Sequence, residues 1–403
     1  MPVNTNILSS PKSPLFSVLI PTRNRPSLTA DLINSVLSQS FSDFELIIAD
    51  NSSDEETQTI LKNISDPRLV NLKTGGLNMA DNWETGISSC SGSYLLLFSD
   101  KMVLKEGSLD YLASYINKYS PDCVNWDIDS FFDNELTYIK SKPSSHEAVI
   151  KSSSLLKKIL TSEFDSVRIP CHCNSAISMS VIKTIKAKTG RASMQLNPDY
   201  TLSYQVLINT NEVHNLDQSL SILRYPSFKS GYGNGTSFML KGEQAKNFML
   251  DNEDWIDKTN KYSAIRVHSN HFGLDLILKD LYHILEKYDV HPDDLMSQDQ
   301  RYINYYLFTY LEMIFRTNMG ANMNDELRLW RSCLLDEESS IKKAVSLEIR
   351  IPRIRFFYIK LKRFLLSFKL LGTCIHYIGD FFLRNNAKKF KSLECCLGNT
   401  KVH

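Results

Sequence analysis

Four short apolar runs, separated by stretches of helical periodicity, narrow what this chain can fold into more than any other feature. Phe16-Ser-Val-Leu-Ile20 is stopped by Pro21, and Phe44-Glu-Leu-Ile-Ile-Ala49 runs into Asp50-Asn-Ser-Ser-Asp54. Arg68-Leu-Val-Asn-Leu72 is a third run, and Leu95-Leu-Leu-Phe98 runs into Ser99-Asp100-Lys101. Leu95–Phe98 reads as a strand buried on both faces, Phe16–Ile20 as a buried strand, and the other two runs as further strands. Between the first two, Leu28, Leu32, Ile33, Val36 and Leu37 share one helical face, with Pro26 near the first turn. Helices are likewise predicted over Glu55–Ile64 and Ala80–Ser89. Strand and helix in strict alternation predict an α/β fold: a Rossmann-like, mostly parallel sheet flanked by helices.

In such a sheet the carboxyl ends of the strands lie along one edge, where ligands bind. Three polar clusters fall there: Thr22-Arg-Asn-Arg25, Asp50-Asn51 and Ser99-Asp100. The chain has neither a G-x-G-x-x-G nor a G-x-x-x-x-G-K-[ST], so dinucleotide-fingerprint and P-loop chemistry are unsupported. A nucleotide must then be held by side chains. A carboxylate after the second strand can accept from a base N–H or a ribose hydroxyl, and Arg23 and Arg25 can offset diphosphate charge.

Composition sets the frame around that sheet. A chain of 403 residues, 42% hydrophobic and 23% charged, has room for two domains, and a net charge of +1 gives no overall preference for nucleic acid. The eight cysteines, at 90, 123, 171, 173, 333, 374, 395 and 396, form no regular framework and suit reduced thiols in a cytoplasmic protein. Cys171-His172-Cys173 lacks the C-x-x-C spacing of structural zinc sites and has no second ligand pair close by in sequence, so buried thiols are expected there. The first residues lack a basic segment followed by a long apolar core, so no signal peptide is expected. No run of 18 uncharged apolar residues argues for a spanning helix.

The segments SVLIPTRNRP, ELIIADNSSDE and GGLNMADNWETGISSCSGSYLLLFSDK, in that order, resemble the family 2 glycosyltransferases of GT-A fold, enzymes that transfer a sugar from a nucleotide-sugar with inversion. The resemblance covers about residues 15 to 240 and is of the bacterial surface-polysaccharide type. It implies that Thr22, Arg23 and Arg25 line the nucleotide site, that Asp50 holds the base and that Asp100 holds the ribose or diphosphate. Asn82 and Trp83 lie in the matching MADNW segment, Asn82 as a donor contact or a helix cap and Trp83 as a site or core residue. Where the family usually clusters two or three carboxylates around Mg²⁺ or Mn²⁺, this chain has Ser99, Asp100, Lys101 and Met102. One carboxylate is a weak site for a hard cation. Either the diphosphate and Asp100 hold the metal together, or Lys101 supplies the positive charge in its place. Loss of activity is a third possibility, leaving a non-catalytic relative that binds a nucleotide-sugar or a partner. A nucleotidyltransferase would want a glycine-rich loop after the first strand, which is absent.

On the acceptor side, Leu109–Tyr119 reads as a helix, Asp122–Trp126 as a strand and Leu220–Arg224 as the last strand of the catalytic domain. Residues 140–153 read as a mobile loop carrying His146 and Glu147, and Ser230–Thr236, with three glycines, as a lid or hinge. The stretch from Cys171 to Pro198-Asp199 resembles the family's acceptor region. Inversion needs a base to take the acceptor hydroxyl proton, and the resemblance makes Asp199 that base. Its alternative use is as N-cap of a helix over Tyr200–Asn209. His172 and Asn174, and less strongly His214, are acceptor-side candidates.

The expected organisation is a flexible tail over 1–14, a catalytic domain over 15–240 (nucleotide-sugar half 15–105, acceptor half 106–240) and a helical domain over 241–403. Phe272–Tyr288 and Tyr302–Met319 carry apolar residues at helical spacing. Residues 342–391 hold 13 Lys or Arg against two acids, Glu348 and Asp380. Such a basic amphipathic segment fits an anionic membrane surface, which would put the chain peripherally at the inner face of the cell membrane. A solvated helix or a homo-oligomer contact are its other readings. Glycan or lipid-linked acceptors follow from the resemblance.

Overall fold

A computed structural model describes residues 13–133, 136–141, 148–160, 169–194, 197–225 and 273–295, with short pieces at 250, 253–254, 324–325 and 387–389. The tail to residue 12, His146 and Glu147, the 230–236 glycine segment, Tyr302–Met319 and all of 342–391 except 387–389 lie outside the described residues.

The alternation read from the sequence is the fold of the first hundred residues. Strands β1 (Phe16–Thr22), β2 (Phe44–Asp50), β3 (Leu69–Lys73) and β4 (Tyr94–Leu97) alternate with helices α1 (Pro26–Leu37), α2 (Glu56–Lys62) and α3 (Met79–Ser88). These strands pair in parallel in the order β3-β2-β1-β4, with Thr22 opposite Asp50 at the shared carboxyl end. Side chains alternate across the sheet with period two. Leu19, Ile47, Leu95 and Leu97 face α3, whose Trp83 and Ile87 cover them. Val18, Ile20, Leu46, Ile48, Leu96 and Phe98 face the other way, against Leu32, Ile33 and Val36 of α1. Both faces of β1, β2 and β4 are thus covered, as their continuous apolar runs require, whereas β3, at the edge of the sheet, has no buried residue.

Beyond β4 the sheet changes character. The short strand β5 (Met102–Leu104) and helix α4 (Ser108–Tyr119) lead to the long strand β6 (Cys123–Phe132) and to β7 (Thr137–Ile139). After these come β8 (Val149–Lys151), α5 (Ser152–Leu160), β9 (Ser175–Ser178), α6 (Met179–Thr189), α7 (Pro198–Asn209) and β10 (Glu212–Tyr225). Strand β9 enters between β4 and β6 and is antiparallel to both, so the acceptor half of the sheet is mixed rather than mostly parallel. The expected loop over 140–153 in fact contains β8 and the start of α5, because β8 is hydrogen-bonded along β10. The strand expected over Leu220–Arg224 begins eight residues earlier, at Glu212, since β10 is held by β5, β6 and β8 at once.

Within the C-terminal third, helix α8 (Gly273–Lys287) forms where the periodicity predicts it, followed by the short α9 (Pro292–Leu295). Leu281, Tyr282, Ile284 and Leu285 of α8 are buried in the same core as Leu202, Val206 and Leu207 of α7. Asn197 donates to Asp280 at 2.9 Å and Asn209 to the Tyr288 hydroxyl at 2.7 Å, fastening the two ends. Helix α8 therefore completes the layer under the acceptor half. Residues 387–389 of the basic segment form a strand, β11, antiparallel to β7. No helix among the described residues is long and apolar enough to cross a membrane.

Candidate active site

The carboxyl ends of β1, β2 and β4 are tied together by side chains. Asp100, just past β4, is buried, and both of its oxygens are used: Oδ1 accepts from Arg25 Nη1 at 2.9 Å and Oδ2 from the Thr22 hydroxyl at 3.0 Å. Thr22 in turn meets Thr29 Oγ1 at 2.8 Å. Pro26 opens α1, so Arg25 stands at the N-terminal end of that helix and its guanidinium reaches back across β1 to β4. Asn24 adopts a left-handed backbone (φ 57°), tolerable for asparagine. Its carboxamide and the Ser53 N–H, at 2.9 Å, join the β1 and β2 loops.

Asp50 is buried and spends its carboxylate on its own surroundings: the Ser52 N–H at 3.0 Å and Gln58 Nε2 at 2.6 Å. Asn51 is paired with Leu77 through both ends of its amide, at 2.6 and 3.0 Å. Asn82 is buried, accepting from Thr74 at 2.6 Å and donating to the Ala49 carbonyl at 3.1 Å. It braces the end of β2, and the N-cap of α3 is Asn78, whose Oδ1 accepts from the Asp81 N–H at 2.8 Å. Arg23 is exposed, and no ion pair holds it among the described residues. Ser99 is partly buried; its hydroxyl lies 3.5 Å from Asp100 Oδ1. Lys101 is partly buried, and that burial, then the neighbouring Arg25 cation, pull its ammonium below the usual value.

The acceptor-side residues reach this edge through one backbone link. Cys173, in a left-handed conformation (φ 83°), donates its N–H to the Leu97 carbonyl at 2.7 Å, which lays the 171–174 loop against the end of β4. Asn174 is buried and folds that loop, accepting from the Cys171 N–H at 3.1 Å; its carboxamide serves the backbone. His172 is partly exposed, its ring 5.2 Å from that of Trp83, which is otherwise core. Its Nδ1 stands 3.6 Å from Asp199 Oδ2 and 3.3 Å from Cys171 Sγ. Burial pushes the Cys171 thiol above its usual range.

Helix α7 starts at Pro198 with Asn197 in the cap position, so Asp199 lies inside the first turn and is not the cap. That frees its carboxylate to face His172. His214 stands apart. It sits near the start of β10, opposite Val124 at the start of β6, and bonds Tyr115 at 3.0 Å and Glu212 at 3.2 Å, at the amino end of the sheet. Two partners escaped the sequence reading. Gln58, eight residues on and inside α2, is the neighbour of Asp50, and Cys171 joins Asp199 only through the fold. The Cys-His-Cys spacing gives no sign of the second, because the third group comes from position 199, beyond any local spacing rule.

Residues 17–186 match the family model described as "Glycosyl transferase family 2". The chain is 30% identical over 112 residues to the GalNAc(5)-diNAcBac-PP-undecaprenol beta-1,3-glucosyltransferase of Campylobacter jejuni, covering 26% of this chain and 35% of that protein. It is 30% identical over 122 residues to a PGL/p-HBAD biosynthesis glycosyltransferase of Mycobacterium bovis, covering 29% of this chain and 47% of that protein. The chain thus spans between about a third and a half of the length of these curated relatives. Among solved structures it is similar to S. aureus TarS 1-349 in complex with UDP-GlcNAc, at 15% identity and TM-score 0.44, covering 68% of this chain and 91% of that one. It is also similar to the mannosyltransferase PcManGT from Pyrobaculum calidifontis in complex with GDP-Man and Mn²⁺, at 11% identity and TM-score 0.41, covering 83% and 84%. The match to glycosyltransferase family 2 over residues 17–186 takes in Thr22, Arg25, Asp50, Asp100 and His172 and stops short of Asp199.

Proposed function

We propose that the chain is an inverting glycosyltransferase that moves a sugar from a nucleotide-diphosphate sugar to a glycan or lipid-linked acceptor, with Asp199 as general base. The observation that carries this reading is the hydrogen bond from Cys173 to Leu97, which sets the loop of His172, and through it Asp199, beside the end of β4 that bears Asp100 and Lys101. The donor lies along the carboxyl ends of β1, β2 and β4, its base toward the Asp50 loop and its diphosphate toward Arg23 and Lys101. Asp199 removes the acceptor hydroxyl proton as that oxygen attacks the anomeric carbon from the face opposite the diphosphate. The bond to the diphosphate breaks with its electron pair, and the configuration inverts. The Campylobacter relative's name carries a PP-undecaprenol acceptor, which supports a lipid-linked one here.

The residues present are a poor fit to Mg²⁺ or Mn²⁺. Asp100 supplies the single carboxylate past β4, and Arg25 and Thr22 already occupy both of its oxygens, whereas such ions want several oxygen ligands. Among the described residues at this edge, Lys101 and Arg23 are cations that can stabilise the leaving diphosphate. Replacing Lys101 with Ala is accordingly expected to slow nucleoside-diphosphate release by about 10²-fold or more, with Mn²⁺ failing to restore it. Full rescue by Mn²⁺ across a panel of nucleotide-sugars would return that role to a metal. A second reading, a non-catalytic donor-binding relative, draws on the same single carboxylate. It predicts donor binding in calorimetry with no diphosphate release from any donor and acceptor pair.

Peripheral membrane contact through residues 342–391 is part of the proposal, on the strength of that segment's charge. The full chain should co-sediment with vesicles containing anionic lipid, and less so at high salt. Equal recovery in the supernatant with and without 342–391 removes the idea.

A further inference from the structure

We infer that Cys171, His172 and Asp199 together form a site for a borderline-soft divalent cation of the zinc class, and that its occupation withdraws the Asp199 carboxylate from the acceptor. One ligand atom from each residue lies within 4.8 Å of the others, on side chains that are all partly buried. The shared corner is His172 Nδ1, 3.3 Å from Cys171 Sγ and 3.6 Å from Asp199 Oδ2. Ligand atoms on a tetrahedral Zn²⁺, at about 2.0–2.3 Å from the metal, stand roughly 3.3–3.6 Å from one another, so those two spacings need little adjustment.

The donor set decides the class of ion. A thiolate, an imidazole and one carboxylate favour Zn²⁺ or Co²⁺ and disfavour Mg²⁺ and Ca²⁺, which take oxygen ligands in larger numbers. Three protein ligands leave a fourth position for water, the pattern of open zinc sites. The frame is already built. The Cys171 N–H donates to Asn174 Oδ1 at 3.1 Å, the Cys173 N–H to Leu97 at 2.7 Å, and Asp199 stands in the first turn of α7. Trp83 flanks the imidazole. Formation of the sulfur–metal bond displaces the Cys171 proton to solvent. Local spacing had argued against a metal at Cys171-His172-Cys173. It could not count a ligand contributed from 27 residues beyond His172.

The inhibitory consequence rests on Asp199 being the base, whereas the metal site itself does not. Titrating the full chain with Co²⁺ tests the site. One equivalent should bind with a thiolate-to-cobalt charge-transfer absorption that Zn²⁺ abolishes by displacement. Cys171→Ser should lose the band, and Asp199→Asn should bind Co²⁺ at least about tenfold more weakly. Absence of the band in the wild-type chain, or a band of undiminished strength in Cys171→Ser, overturns the site. Zn²⁺ should also slow nucleoside-diphosphate release, and a chelator should restore it. Turnover that is indifferent to Zn²⁺, in protein with a Cys171-dependent cobalt band, leaves the metal site standing and removes Asp199 as the base.

Discussion

Asp199→Asn is expected to lower the rate of nucleoside-diphosphate release by about 10²–10⁴-fold, the range a positioned general base contributes. Donor affinity should change little, because Asp199 belongs to α7 and none of the groups tied to Asp100 or Asp50 is bonded to it. Stability should also change little. Asparagine keeps the shape of the side chain, the position lies inside the first turn, and the carboxylate is 26% exposed beside His172. Single-turnover release and donor binding, measured on the same protein, separate the two quantities. Wild-type turnover in the Asn variant would end the base assignment, while a collapse of donor affinity would mean that the acceptor loop shapes the nucleotide pocket.

The second large effect is on stability. Lys105, after β5, and Asp129, on β6, form an ion pair with side chains 6% and 0% exposed. Asp129 also accepts from the Tyr138 hydroxyl and from the Ser141 N–H, the latter at 2.8 Å. Burial by itself raises the Asp129 carboxyl, but Lys105, Tyr138 and the Ser141 N–H outweigh it and hold the group below its usual value. A depressed carboxylate contributes stability that is present above its unfolded pKa of about 3.9 and is lost as pH falls through the lower folded value, so the pair stays intact at neutral pH. Asp129→Ala removes that counter-charge from Lys105 within the sheet and is expected to cost about 3–5 kcal/mol, read as a fall in the urea midpoint. Lys105→Met combined with Asp129→Leu should recover much of the loss, since an apolar pair carries no desolvation penalty. A midpoint shift below about 1 kcal/mol for Asp129→Ala would mean that water reaches the pair.

The parallel half of the sheet was legible because its signal is local. Phe16–Ile20 and Phe44–Ala49 are apolar on both faces, and a helix with one apolar stripe must lie between them and cover one face. The acceptor half was less so. Strand β8 and the long β10 are short on apolar alternation, and they exist because β5, β6 and β8 supply hydrogen-bond partners remote in sequence. The same division runs through the site. Thr22, Arg25 and Asp100 were marked by their positions after strands, and the fold brings them into contact. Asn82 and Asn174 carry site-like residue types, yet they spend their amides on Ala49, Thr74 and the Cys171 N–H, bracing loops.

The sequence by itself determined the α/β class, the order of the first elements and the edge on which polar residues gather, because burial on both faces of a strand and one face of a helix leaves its period in the chain. Tertiary structure alone decided which of those residues meet. The insertion of β9 between β4 and β6 carries the Cys171–Asn174 loop to the end of β4, and α7 then brings Asp199 to His172. Pairing between strands far apart in the chain sets those encounters, and no periodicity within a strand encodes its partner.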